Sequence, residues 1–409
     1  MDRFTSNNRR ADGWTEVVKL LIILTAIMGT RNSFGLFFTS IENQFGMSRG
    51  ATSAYFSIFM ALSAIFTIIC GWALDRFGPR IIFFLMGIIT LFSLLLTGRT
   101  TASWQLYITY SFLLACGTGA GFSLVLATVS KWFLQRRGLA LAIALSGEGA
   151  GTLLVAPLAA YLILRFDWRS AFSILGLIAG IIMICGAALL KKVPAVPGNP
   201  ADAAESKGPD KVGQTAGFSL KEAVQTRSFW LLALVYLMVS FSFYLVLTHI
   251  APHLRDLGFD ASQAAIVVSF LGGSTIPGRL VIGLASDKFS RKKLAILCAF
   301  LQVAGMIWLT QSNSLWNYYL FALEFGFAFG GLSNLMATLI GDTFGMTNLG
   351  SVSGTLVVGF SLGAAIGPTL GGIIFDATDS YTIAFLCGIL ATSVAAASLF
   401  LTRRETRRT

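Results

Sequence analysis

The chain has 409 residues, of which 55% are hydrophobic and only 12% charged, with a mean hydropathy of +0.75. Ordinary soluble domains carry about 25% charged residues, so this composition excludes a water-solvated globule and points to a core solvated by lipid. The formal charge of +11 could suggest nucleic acid, but the basic residues sit in short segments between apolar runs, where they read as topology signals.

In chain order the apolar runs fall near 15–39, 52–74, 81–97, 104–130, 139–163, 169–190, 229–251, 263–286, 294–311, 316–340, 349–375 and 380–402. Each is close to the roughly 20 residues that span a bilayer as helix. The first 14 residues are polar and basic, and the run that follows ends without a small-residue cleavage signature, so a retained first helix is expected. Cys70, Cys116, Cys185, Cys298 and Cys387 all lie within runs, with no CxxC pair, and read as small apolar residues. Composition changes only at 191–220, which holds Pro194, Pro197, Pro200, Asp202, Glu205, Lys207 and Asp210. This is a linker too polar to fold alone, ending in a capping-box pattern at Ser219 and Glu222. The expected division is a six-helix unit over 1–190, a linker over 191–224 and a second six-helix unit over 225–409.

The two sides of the linker repeat one another. Gly71-Trp72-Ala73-Leu74-Asp75-Arg76-Phe77 returns as Gly283-Leu284-Ala285-Ser286-Asp287-Lys288-Phe289, and Gly119, Ala127-Thr128 and Pro157 are answered by Gly331, Ala337-Thr338 and Pro368. The offsets are 212, 212, 210 and 211, so six helices have been duplicated. With both termini inside, the inner segments hold 22 Lys and Arg against 5 in the outer loops, and Lys19, Arg31 and Arg279 lie within runs. The positive-inside rule then places both termini in the cytoplasm.

Gly71-xxx-Asp75-Arg76-x-Gly78-x-Arg80 resembles the loop signature between helices 2 and 3 of the major facilitator superfamily, and its second copy at Gly283 strengthens the likeness. The resemblance implies an all-α membrane protein with twelve transmembrane helices in two pseudo-symmetric six-helix bundles, multi-pass in a cell's inner (plasma) membrane. In the fifth run, Trp132-Phe133, the basic pair Arg136-Arg137, Leu139-Ala140 and the spaced small residues up to Gly151 resemble the monocarboxylate transporter signature. That family's second signature, before the first helix, is partly present as Asp12-Gly13-Trp14. Independently of any family, Gly147, Gly149 and Gly151 would let a neighbouring helix approach closely.

An ionisable side chain at a helix centre costs about 2.5–3.5 kcal/mol on insertion scales, so each is a functional hypothesis. Arg279 lies eight residues before Asp287, about 12 Å into the eighth run at 1.5 Å per residue. The resemblance makes it the group that binds a substrate carboxylate, a task its planar fork suits. The family often has an Asp one turn earlier, where this chain has Thr275. Arg31 and Asn32 lie deep in the first run, where the family has a cation, and join Arg279 as substrate ligands. His249 near the outer end of the seventh run and Cys116 in the fourth are expected to line the cavity. Glu148 and Glu324 are the carboxylates well inside runs, and either could carry a coupled proton. Asp75, Arg76, Arg80, Asp287 and Lys288 are expected to pair across a cytoplasmic gate.

The implied function is proton-coupled symport of a short monocarboxylate, L-lactate or pyruvate, by alternating access. The partners are a small organic monoanion, a proton and the lipid bilayer, with no nucleic acid and the monomer as functional unit. An oxalate/formate-type anion exchanger is the alternative, but its lysine in the eleventh helix is missing from 349–375; efflux of another small solute is a third. No HExxH metal motif and no GxxxxGK[ST] loop is present, so neither an enzyme nor an ATP-driven pump is expected, and no cofactor.

Overall fold

A computed structural model describes residues 2–133, 137–191, 218–345 and 349–403. Lipid offers the backbone no hydrogen-bond partners, so a spanning segment must satisfy its own N–H and C=O groups as helix. Among the described residues twelve helices are long and apolar enough to cross a bilayer. In chain order these are α1 (Gly13–Phe45), α2 (Arg49–Phe77), α3 (Pro79–Thr97), α4 (Ser103–Trp132), α5 (Gly138–Arg165), α6 (Trp168–Leu189), α7 (Arg227–Asp256), α8 (Ala261–Ala285), α9 (Arg291–Thr310), α10 (Leu315–Phe344), α11 (Gly350–Thr378) and α12 (Thr382–Leu401). Twelve crossings return the chain to the face it started from, here the termini face.

Polar caps fix where the helices begin. Asp167 accepts from Ser170 N at 2.6 Å before α6, and Asp260 and Gln263 form a reciprocal box before α8. The box expected at Ser219 forms with Glu222 and starts a short turn, Leu220–Val224, leading into α7. The remainder of the expected linker, 192–217, lies outside the described residues, as do Leu134, Gln135 and Arg136 of the fifth-run signature.

Duplication is visible in the packing. Within the first six helices α1 packs on α5 and α6, α2 on α4, and α3 on α4 and α6. Within the second six, α7 packs on α11 and α12, α8 on α10, and α9 on α10 and α12, so every pair has its counterpart six helices later. The halves meet through two further equivalent pairs, α2 with α11 and α5 with α8. The second pair approaches closely at a glycine. A Cβ added at Gly149 would lie 2.7 Å from the Gly272 carbonyl oxygen and 2.6 Å from Thr275 Oγ1. Gly147 and Gly151, two residues to either side, instead face α1 at Leu21, Thr25 and Gly29. Gly149→Val therefore forces backbones apart and should destabilise the protein by about 1–3 kcal/mol, seen as earlier thermal unfolding of purified material, whereas Gly138→Val, in open space, should not.

The buried apolar side chains form two clusters that reveal the shape of the interface. One joins both halves and takes its first-half members, among them Phe34, Phe38, Phe56 and Phe172, from the side away from the termini. The other, with Leu20, Ile27, Met86, Val125 and Met183, belongs to the first half alone and lies on the termini side. The halves thus share a core only away from the termini and are parted toward the termini face.

Among the described residues four spanning helices are interrupted in mid-course, α4 at Gly119–Ala120 and three others at a serine. In α1 the break is at Ser33, whose Oγ donates to the Gly29 carbonyl at 2.6 Å. In α5 it is at Ser146, bonded to the Ile143 carbonyl at 2.6 Å, and in α8 at Ser274, bonded to the Ala322 carbonyl of α10 at 3.1 Å. Hydroxyls that bond back to the preceding turn bend a helix, and interrupted helices are where transporters place their binding groups. A fourth helix, α4, carries a π-helical stretch at Tyr107–Leu113, a form that often occurs at functional positions.

Candidate functional site

The serine breaks set two buried guanidinium groups on the facing sides of the two halves. Arg279, five residues after the break in α8, is 7% exposed. Its Nη1 donates to the carbonyl of Leu145, the residue just before the break in α5, at 2.6 Å, and its Nη2 is ion-paired with Glu148 Oε2, also of α5. The Phe122 ring of α4 lies 5.8 Å from the guanidinium carbon. Thr275 occupies the position where a counter-ion on α8 itself would stand, and its hydroxyl is spent on the Gly272 carbonyl at 2.7 Å. The counter-ion comes from the other half instead. Sequence reasoning had treated Glu148 and Arg279 separately; the structure joins them.

Arg31, two residues before the break in α1, is equally buried but has no carboxylate beside it among the described residues. Its Nη2 donates to the Tyr244 hydroxyl of α7 at 2.7 Å and touches Met60 Sδ at 3.2 Å, its Nη1 lies 3.9 Å from Met28 Sδ, and its charge rests near the rings of Phe59 and Tyr244. Arg31 Nε has no hydrogen-bond partner, nor do Asn32 Oδ1 and the hydroxyl of Tyr110 in the π-helical stretch of α4. Asn32 spends its amide on Thr152 Oγ1 of α5 at 2.9 Å. Buried polar groups are nearly always paired in native proteins, so Arg31 Nε, Asn32 Oδ1 and the Tyr110 hydroxyl keep hydrogen-bonding capacity that the protein itself does not use. Tyr244, which accepts from Arg31, stands on α7, in the half that carries Arg279. Tyr244, Tyr110, Thr152 and Phe122 were not foreseen; lone aromatic and hydroxyl residues in apolar runs carry no pattern that would mark them.

The remaining expected residues lie elsewhere. His249 is a correction: it is fully buried, with Nε2 at 2.7 Å from the Pro368 carbonyl, Nδ1 at 3.1 Å from the Tyr381 hydroxyl, and Phe38 against its ring. Pro368 lies inside α11 and its carbonyl meets this histidine, so in this structure His249 braces packing and lines no vestibule. Cys116 is half-buried in α4. Glu324 of α10 faces α9, where a Cβ on Gly305 would strike its carboxylate, and neither of its oxygens has a hydrogen-bond partner.

On the termini face the expected gate residues do not bridge the halves here. Asp75 pairs with Lys131 of the same half at 2.7 Å, and Arg76 lies over the rings of Trp72 and Phe77. Arg80, Asp287 and Lys288 are exposed, and among the described residues none of them makes an ion pair; Arg291 and Asp342 pair at 2.7 Å within the second half. That is the arrangement to expect where the halves are parted. The two signature segments touch one another: the Trp14 and Phe133 rings are 5.1 Å apart, and Gly13 leaves room for Phe133.

The model of the Major Facilitator Superfamily matches residues 20–356 and 280–409. The chain belongs to the major facilitator superfamily. This major facilitator protein is 27% identical over 383 residues to human "Monocarboxylate transporter 11", covering 91% of this chain and 79% of the relative. It is 25% identical over 376 residues to "Monocarboxylate transporter 13" of Bos taurus, covering 91% and 85%, and 25% identical over 365 residues to "Uncharacterized MFS-type transporter YhjX" of Escherichia coli (strain K12), covering 88% of each. Among solved structures, a bacterial homologue of the human lysosomal transporter Spinster, inward-facing and unoccupied, superposes with a TM-score of 0.78 at 17% identity, covering 96% of this chain and 97% of that one. A D-xylose–proton symporter superposes at 0.71 with 16% identity, covering 93% and 97%. The protein is a multi-pass membrane transporter related to monocarboxylate transporters, and not an enzyme.

Proposed function

We propose that this protein carries short monocarboxylates such as L-lactate or pyruvate together with a proton, and that the constellation of Arg279, Glu148 and Arg31 is where it does so. The observation that carries this reading is the charge balance: two buried guanidinium groups, each bonded to the opposite half, of which Arg279 is paired with Glu148 and Arg31 has no carboxylate partner among the described residues. One net positive charge suits one monoanion. A substrate carboxylate takes the place of Glu148 on the fork of Arg279, and Glu148, released from its cation in a low-dielectric cleft, accepts a proton. Arg31, Asn32 and Tyr110 hold the rest of the solute through the atoms now without partners. Movement of a monoanion with a proton is electroneutral, so a pH gradient drives it and the membrane potential does not oppose it.

The termini belong in the cytoplasm of a cell's inner membrane on this reading, in keeping with the excess of Lys and Arg on their side. The parted face is then the inner one, and the halves rock about the central site to expose it alternately. Uptake of labelled L-lactate into proteoliposomes, with and without an inward proton gradient, tests the proposal directly. Accumulation driven by the gradient and competed by pyruvate supports it. Uptake only into vesicles preloaded with a counter-anion replaces it with exchange, and absence of uptake in both conditions removes lactate. Glu324→Gln is expected to leave gradient-driven accumulation within about twofold, because Glu324 faces α9 and not the cleft; loss of coupling in that variant would move the proton from Glu148 to α10.

A further inference from the structure

Arg49 opens α2 on the face away from the termini, and its surroundings have no part in the site just described. Its side chain is shared among four helix ends. The guanidinium forms a two-pronged contact with Asp256 at the end of α7, Nη1 to Oδ2 at 2.5 Å and Nη2 to Oδ1 at 2.7 Å. Nη1 also donates to the Tyr381 hydroxyl at the start of α12 at 2.9 Å, and the Phe375 ring of α11 lies 3.7 Å from the guanidinium carbon. The backbone joins in: Asp376 of α11 accepts from Arg49 N and Gly50 N, both at 2.8 Å. All of these partners belong to the second half. The single partner from the first half is Glu42 of α1, at 3.2 Å from Arg49 Nε.

We propose that Arg49 is a two-position latch on this face, held by Asp256 when the face is sealed and retained by Glu42 when it opens. The asymmetry of the partners supplies the mechanism. Parting the halves here must break the Asp256 fork, the Tyr381 bond, the Phe375 stacking and both Asp376 caps together, because each crosses the boundary. Glu42 travels with Arg49. It keeps the arginine charge compensated in the open state, so opening costs a change of partner and not a bare cation. Arg49 is thus held by charge-assisted, geometrically specific contacts in one state and by a single weaker one in the other, which biases the empty protein toward the sealed arrangement seen here.

A reporter that needs no substrate tests this, so its outcome stands apart from the transport reading. Ser57, two turns into α2, is buried against α11, its hydroxyl accepting from Thr369 Oγ1 at 2.7 Å, and should become reachable only when this face opens. In protein with Cys70, Cys116, Cys185, Cys298 and Cys387 replaced by serine or alanine and carrying Ser57→Cys, a membrane-impermeant maleimide is applied to the face opposite a C-terminal tag. Asp256→Asn should raise the labelling rate by about tenfold or more, the population shift that losing about 1.4 kcal/mol of state-specific contact produces. Glu42→Gln should lower it below the parent rate, because the open state loses its only compensating carboxylate. Arg49→Lys, keeping charge without the fork, should fall between parent and Asp256→Asn. Labelling unchanged in Asp256→Asn, in protein that unfolds at the parent temperature, would overturn the latch. Labelling raised equally by Asp256→Asn and Glu42→Gln would overturn it too, since it would make Arg49 a static anchor.

Discussion

Arg279→Lys protein should reach the membrane and fold, yet take up labelled L-lactate at least about 30-fold more slowly at low substrate concentration. Lysine keeps the charge but not the fork, so it cannot hold the Leu145 carbonyl and a carboxylate at the same time as Arg279 does. Losing a buried, hydrogen-bonded charge contact costs about 2–5 kcal/mol, and each 1.4 kcal/mol is tenfold. The measurement is initial uptake rate against concentration in proteoliposomes of matched protein content. Unchanged affinity and rate would remove Arg279 from the carboxylate site.

The second large effect concerns Glu148→Gln. Glutamine cannot exchange a proton, so gradient-driven accumulation should disappear, while exchange of labelled for unlabelled L-lactate across the membrane should persist. Stability gives an independent sign. In the empty variant Arg279 loses its carboxylate, and breaking one side of a buried ion pair typically costs about 3–5 kcal/mol. A bound monocarboxylate restores that partner, so added L-lactate should raise the thermal unfolding temperature of Glu148→Gln more than that of the parent. In the parent the ligand displaces a carboxylate already in place, and its net gain is smaller. Equal shifts in both proteins would mean that the ligand does not compete with Glu148.

The fold was legible because lipid imposes few solutions. Apolar runs of the right length could only be helices, and the repeated Gly71 and Gly283 segments fixed the twelve spans as two sets of six. The two membrane-embedded arginines were legible for the same reason, since a cation in an apolar run is conspicuous. Their partners were not. Glu148 and Arg279 lie 131 residues apart, and only the close glycine contact of α5 with α8 brings them together. Arg49 was counted as a loop residue, because nothing local in the sequence shows that Glu42, Asp256, Asp376 and Tyr381 from four other helix ends converge on it. His249 was placed at a vestibule because a histidine near a span end looks interfacial, whereas here it is buried on the Pro368 carbonyl and the Tyr381 hydroxyl, partners more than 100 residues away. The serine breaks had a signal that could be used: Asn32-Ser33, Ser146-Gly147 and Gly273-Ser274 are pairs of weak helix formers inside otherwise apolar runs.

Gly149 meets the Gly272 carbonyl and the side chains of Thr275 and Ile276, so α5 presents no side chain of its own at this crossing. Side chains that interlock must change rotamer when helices tilt, and a glycine on one side of the crossing leaves fewer of them to rearrange. Glu148 is the immediate neighbour of Gly149 and Arg279 lies one helical turn after Thr275, so their ion pair sits beside this contact. On the proposed transport reading, a site held at this contact would leave the direction of net movement to the gradients across the membrane.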